Sequence, residues 1–147
     1  MTRRELREHG FKMLFAADFY PAEEKSEQIE LYYESPEEDE VSPEGVCEIL
    51  HKVELDLHDS DYLRKKVEDI EAKIPDLDAK INKVAEGWKT KRMGKVELTI
   101  LRLALYEILY DEEVPEKVAI NEAVELAKKF GGDDSSAFVN GILAKLV

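Results

Sequence analysis

The chain has 147 residues, 34 acidic against 21 basic, for a formal net charge of −13, and a single cysteine, Cys47. A chain of this length buries roughly two thirds of the surface its unfolded form exposes, so one domain can fold without metal or disulfide, and one cysteine excludes an internal disulfide. No stretch has the length and apolarity of a membrane span or the layout of a signal peptide, which predicts a cytoplasmic protein, and an evenly spread negative charge would disfavour nucleic acid.

The charge is not evenly spread. The amino end leans basic, with Arg3, Arg4, Arg7 and Lys12 on a first helix expected over about 3–19. Its apolar face is Leu6, Gly10, Met13, Leu14 and Ala17, widened by Phe11 and Phe15, and Pro21 ends it. A very acidic helix is expected over about 22–33. The following stretch, 34–42, has no periodicity and reads as a solvated acidic loop. From Ala22 to Glu44 ten carboxylates face one lysine, so this segment alone carries −9 of the −13.

Ser42 before Pro43 is a helix start signal, and Val46, Ile49, Leu50, Val53 and Leu57 follow at helical spacing. Asp59 or Ser60 can cap the next helix, with Leu63, Val67, Ile70 and Ile74 inward, and Pro75 should break it. A short helix over about 76–86 presents Leu77, Ile81 and Val84 before Gly87. Lys89, Lys91, Arg92 and Lys95 then form a second basic segment.

Between Lys95 and Tyr110 the polar residues Glu97, Arg102 and Glu107 point in three directions at 100° per residue, so this helix has no wide polar face and should be buried on most sides. Arg102 and Glu107 are then expected to satisfy each other or nearby backbone, since unpaired buried charge is costly. Pro115 opens a helix to about Phe130 with Ile120, Ala123, Val124 and Ala127 inward, and Gly131 is expected to stop it in the left-handed conformation. Asp134, Ser135 or Ser136 can cap a last helix carrying Phe138, Val139, Ile142, Leu143 and Leu146.

The run from Arg92 through Met93-Gly94-Lys95-Val96-Glu97 to Leu109, the Val114-Pro115 step, Val118-Ala119-Ile120-Asn121-Glu122-Ala123 to Gly131, Asp134-Ser135, and Phe138-Val139-Asn140-Gly141 together resemble the NusB family of transcription antitermination factors. The likeness extends to Gly87-Trp88, more weakly to Leu77-Asp78, and to the arginines at the amino end. It implies an all-α fold of seven or eight helices in two small packed subdomains, about 1–75 and 76–147, forming one RNA-binding domain. It also implies a function: binding the single-stranded boxA element of ribosomal RNA leaders together with NusE, a small-subunit ribosomal protein, and acting through that assembly on elongating RNA polymerase. A homodimer is compatible with the family, and no cofactor is implied.

The residues permit more than one reading of each site. Arg3, Arg4 and Arg7 share one end of a helix and can neutralise phosphates without specifying bases, or can be a solvated helix start. Cations at a helix amino end oppose the helix dipole, so their placement asks for another reason. Asp133 and Asp134 make a phosphate cradle unfavourable at the last helix. Asp134 and Ser135 can instead accept hydrogen bonds from bases, or simply cap, and Phe138 can stack on an unpaired base, or simply pack. The resemblance favours the RNA reading for Asp134, Ser135 and Phe138 and, more weakly, for Lys117 and Asn121. Lys91, Arg92 and Glu97 are expected to contact NusE.

Cys47, His51, Glu54 and His58 fall within about 60° on a helical wheel, but they span three turns, too far for one ion, so no metal is expected. No phosphate-binding glycine motif or nucleophile elbow supports an enzyme. The resemblance also covers the amino-terminal domain of certain ribosomal RNA methyltransferases, an alternative against which the end of the chain at Val147 argues, and it leaves open a stand-alone interaction module with weak or no RNA binding, which the few arginines at the amino end and the acidic segment favour.

Overall fold

The computed structural model describes residues 1–34, 37–41, 47–52, 57–87 and 89–147, with 33–52 described by backbone alone. Helix α1 (Arg3–Ala17) begins at Thr2, whose hydroxyl accepts the Glu5 N–H at 3.1 Å. It is followed by α2 (Ala22–Glu34), strands β1 (Glu37–Val41) and β2 (Cys47–Lys52), α3 (Leu57–Val84), a 3-10 turn at Thr90–Arg92, α4 (Lys95–Tyr110), α5 (Glu116–Phe130) and α6 (Ser135–Leu146).

The packed body is helical, and α4 lies at its centre. Every residue from Leu98 to Glu107 is buried, as a helix without a polar face requires, and α1, α3, α5 and α6 all pack on it. One apolar cluster includes Leu6 and Met13 of α1, Leu63, Ile70, Leu77 and Ile81 of α3, Ile100, Leu103 and Leu105 of α4, and Val139 and Leu143 of α6, running across position 75–76 without interruption. No described helix is long and apolar enough to cross a membrane.

The helix count is six among the described residues, not seven or eight. Two elements account for the difference. Pro75 lies inside α3 instead of breaking it. Its missing N–H costs one helical hydrogen bond, but Pro75 is exposed, so the carbonyl left without that partner can be hydrated, while Ile70, Leu77 and Ile81 on either side share one buried face. The second difference is at Cys47–Lys52, where a helix was expected and a strand is found, paired antiparallel with Glu37–Val41 of the expected acidic loop; Glu37 faces Lys52 and Val41 faces Cys47, with an irregularity between Glu38 and Asp39. Short apolar runs fit either period, and Val46, Ile49 and Val53 are β-branched, a residue type that suits a pleated strand. The side chains of the Cys47, His51, Glu54 and His58 set lie outside the described residues except for His58.

Gly131 does end α5, but with φ −96° and ψ 179°, extended instead of left-handed. Glycine is needed there for room: a Cβ would come within 2.7 Å of the Ala127 carbonyl oxygen and collide with the Ser135 side chain. The left-handed glycine is Gly87, with φ 75°, just past α3.

Arg102 and Glu107 do not pair with each other. Arg102 forks onto Asp78 of α3 at 2.8 and 2.7 Å and reaches Asp18 at 3.4 Å, while Lys95 meets Asp18 at 2.7 Å and Lys25 lies 3.9 Å from it. Asp18, at the end of α1, thereby ties together α1, α2 and α4, and through Arg102 also α3. Burial pushes its carboxyl up, but Lys95, Arg102 and Lys25 outweigh this and hold it below the usual carboxylate range. Glu71 shifts the other way, raised mainly by burial.

A depressed folded pKa contributes stability that is complete above the unfolded value of about 3.9 and drains away as pH falls through the folded value. Asp18→Asn should therefore cost about 1–3 kcal/mol at pH 7, and the gap to wild type should close on acidification below about pH 4. Urea denaturation of both proteins at pH 7 and pH 3 checks this; a gap that stays constant would show that the carboxylate charge is not what matters.

Candidate nucleic-acid and partner interface

The three amino-terminal arginines divide by burial. Arg3 and Arg4 are largely exposed, at 62% and 65% of their side-chain surface, whereas Arg7 is 7% exposed. Arg7 forks onto Glu107 of α4, with Nε–H donating at 2.8 Å and Nη2 at 3.0 Å. Glu107 is 1% exposed and also accepts from Lys66 Nζ of α3 at 3.1 Å. Arg7 thus compensates a carboxylate in the centre of the fold, and of the three only Arg3 and Arg4 are open to solvent. Arg3 donates to Glu113 at 3.1 Å, and Arg4 donates to Glu122 of α5 at 2.9 and 3.1 Å.

The Arg4–Glu122 pair belongs to a seam between α1 and α5. A shallow cleft of about 200 Å³ there is lined by Arg4, Arg7, Glu8, Glu122, Glu125, Leu126 and Lys129. Lys129 donates to Glu8 at 2.8 and 2.9 Å across it. Beside it Phe11 stacks on Phe130, ring centroids 5.0 Å apart, with Lys129 and Lys12 over the Phe130 ring at 5.4 and 6.0 Å.

Three residues beyond Lys129, the chain enters a second, larger groove of about 500 Å³. It is lined by Arg92, Met93, Gly94, Glu97, Gly132, Asp133, Asp134, Ser135 and Phe138. Residues expected to contact a protein partner, Arg92 and Glu97, therefore share one concavity with residues expected to contact RNA, Asp134, Ser135 and Phe138. The two sets are bonded to each other: the buried Ser135 hydroxyl donates to the Glu97 carboxylate and accepts the Gly132 N–H at 3.0 Å. Ser135 thus pins the loop before α6 to α4. Asp134 stands at the start of α6 and is exposed, and its side chain makes no capping bond there. Phe138 is half-buried, one side on the core and one lining the groove.

Lys117 and Asn121 lie one turn apart on α5 and are exposed. Lys91 is exposed in the 3-10 turn but does not line the groove. Sequence reasoning missed Glu122, Glu8 and Lys129. Glu122 stands beside Asn121 in a run that carried the family likeness, and only the placement of α1 against α5 reveals its partner. Among the described residues no group of histidine, cysteine and acidic side chains is arranged to hold a metal ion.

Exposed cations on a helical scaffold, next to a groove that mixes charged side chains with a half-buried aromatic ring, are the features of a helical binding protein, with no constellation of catalytic groups among the described residues. The model of the NusB family matches residues 4–147, and this chain belongs to that family. The transcription antitermination protein NusB of Lachnoclostridium phytofermentans is 47% identical over 147 residues, covering 100% of this chain and 99% of that protein. That of Agathobacter rectalis is 44% identical, covering 99% and 98%. Among solved structures, T. maritima NusB superposes with a TM-score of 0.79 at 29% identity, covering 99% of this chain and 90% of that one. A structure of antitermination factors NusB and NusE in complex with dsRNA has the same fold, with a TM-score of 0.74 at 22% identity over 98% of this chain and 94% of that one.

Glu107→Ala leaves Arg7 and Lys66 in the interior with only the more distant Glu122 (3.6 Å) and Asp111 (3.8 Å) as counter-charges. Stability should fall by about 3–5 kcal/mol, the usual result of removing one partner from a buried pair. A denaturation midpoint close to wild type would mean that water already compensates these charges.

Proposed function

We propose that this chain is a transcription antitermination factor that binds the boxA element of nascent ribosomal RNA leaders together with NusE, and acts through that assembly on elongating RNA polymerase. The observation that carries this reading is the family membership over residues 4–147, with relatives of the same length that are transcription antitermination proteins. A NusB of the same fold has been solved with NusE and dsRNA. The RNA-facing set in this reading is Arg3 and Arg4 on α1, Lys117 and Asn121 on α5, and Asp134 and Phe138 at the groove, with Lys91, Arg92 and Glu97 facing NusE and the buried Ser135 holding the loop that carries Asp134. Arg7 acts from behind, as the buried counter-ion that holds α1 in place.

The division of labour follows from chemistry. Arg3 and Arg4 supply phosphate contacts, which give affinity and salt dependence but no sequence preference. Asp134 can accept hydrogen bonds from base amino groups, and Phe138 offers a ring face to an unstacked base. The net charge of −13 does not oppose this, because most of it resides in 22–44, apart from these residues in sequence, and local potential governs approach.

Titration of labelled boxA RNA, with and without NusE and across salt concentrations, tests the whole reading; no binding even with NusE present would overturn it. Arg4→Ala should weaken RNA binding and reduce the slope of log affinity against log salt by about 0.7, the value for one single-strand phosphate contact, with stability changed by less than about 1 kcal/mol because its ion pair is at the surface. Phe138→Ala should cost about 1–3 kcal/mol of RNA affinity if the ring stacks on a base. A drop in stability with unchanged RNA affinity would assign Phe138 to the core alone.

A further inference from the structure

We infer that Glu122 is a positioning residue for RNA binding: it fixes the Arg4 guanidinium so that the free edge of the fork faces an incoming phosphate. The inference rests on the RNA-binding reading above and adds a residue to it.

The geometry is asymmetric. Arg4 uses Nε and Nη2 to hold both oxygens of Glu122, at 2.9 to 3.3 Å, which leaves the Nη1 donors and the second Nη2 hydrogen unspent on that carboxylate. Glu122 is only 15% exposed, while Arg4 is 65% exposed. The carboxylate is also held from behind, because Arg7 Nη1 lies 3.6 Å from it. Arg7 in turn is forked onto Glu107, and Glu107 is met by Lys66. Charges of alternating sign thus run from α3 through α4 and α1 to α5 and back out to Arg4, and each member limits the movement of the next.

Arg3 provides the contrast. Its contact with Glu113 is a single bond between side chains 62% and 69% exposed, an arrangement that a phosphate can displace at little cost. Glu122 cannot swing away so readily, since leaving would deprive Arg7 of a counter-charge. Arg4 therefore meets RNA with its orientation already set. A guanidinium fork fixed on one edge presents its other edge to phosphate oxygens without losing further side-chain freedom.

Two readings of Glu122 predict opposite signs. Coulomb's law alone makes a carboxylate near a phosphate repulsive, so its neutralisation would tighten RNA binding. Positioning makes its neutralisation weaken binding despite the lost negative charge. The signs can be separated by fluorescence anisotropy of a short labelled boxA RNA, in the presence of NusE and at one salt concentration. The proteins compared are the full wild-type chain, Glu122→Gln, Arg4→Ala, the double variant, and Arg4→Lys, each with its melting temperature recorded. Glu122→Gln should weaken binding about three- to tenfold, and by less than about twofold when Arg4 is already alanine, because the two residues act as one unit. Arg4→Lys keeps the charge but cannot fork, and should lose at least as much as Glu122→Gln.

Unchanged or tighter binding by Glu122→Gln overturns the inference, as does an effect of equal size in the Arg4→Ala background. If Glu122→Gln proves too unstable to titrate, Arg4→Lys decides alone: binding equal to wild type means that charge without orientation suffices. Failure of the wild-type chain to bind RNA would be a different result, removing the RNA-binding reading itself and this inference with it.

Discussion

The fold is organised around a carboxylate that cannot reach water. Glu107 sits in a helix buried from Leu98 to Glu107 and is itself 1% exposed. An isolated charge there would cost several kcal/mol, so the structure holds together only if cations are delivered to it from other elements. Arg7 and Lys66 are those cations, one from α1 and one from α3. Apolar packing would tolerate small shifts of α1 and α3 along α4, because burial is not directional. A forked guanidinium on a buried carboxylate does not, and this sets where α1 lies on the core.

That constraint reaches the surface through a short path. From Glu107 the alternation of charge passes to Arg7, then Glu122, then Arg4, so one of the two exposed arginines of the basic end is indexed to the centre of the protein. The net charge of −13 therefore does not by itself describe the surface at α1. Near Arg4 the carboxylates are mostly committed: Glu107 is buried, Glu122 is shared by two arginines, and Glu8 is matched by Lys129. By sequence, most of the excess acid lies in 22–44. A sum over the chain describes solubility; what a phosphate meets at α1 is the local balance of these pairs.

Periodicity made the helices with one polar and one apolar face legible, and it also marked α4 by the absence of a polar face. It failed where two periods compete or where backbone rules bend. The apolar positions around Ile49 fit a helix on a wheel, yet Cys47–Lys52 pairs as a strand with the acidic run opposite. Pro75 looked like a stop because a proline removes a hydrogen bond, but on the exposed side of a helix gripped by Ile70, Leu77 and Ile81 that loss is affordable. Gly131 was recognisable as a helix end and misread in mechanism, since what matters is the Ala127 carbonyl and Ser135 crowding the space a Cβ would fill. The ion pairs were beyond sequence reading altogether. Arg7 and Glu107 stand a hundred positions apart, and nothing local distinguishes Arg7 from Arg4, although one is interior and the other is surface.

The groove between α4 and α6 brings a further consequence for the proposed function. Glu97, on the side assigned to a protein partner, is bonded to Ser135, and Ser135 accepts the N–H of Gly132, so the loop that carries Asp133 and Asp134 takes its shape partly from the position of Glu97. A partner that engages Arg92 and Glu97 must either preserve the Glu97–Ser135 bond or break it. Preserving it holds the loop in the form that presents Asp134, and RNA then has less ordering to do. Breaking it frees a buried hydroxyl and loosens the same loop, at a cost to RNA that the partner's own contacts would have to exceed. Linkage requires that whichever way NusE changes affinity for RNA, RNA changes affinity for NusE by the same factor. In that reading the Glu97–Ser135 hydrogen bond, between α4 and the start of α6, is where such coupling would pass through the groove, because it joins the groove's two sides.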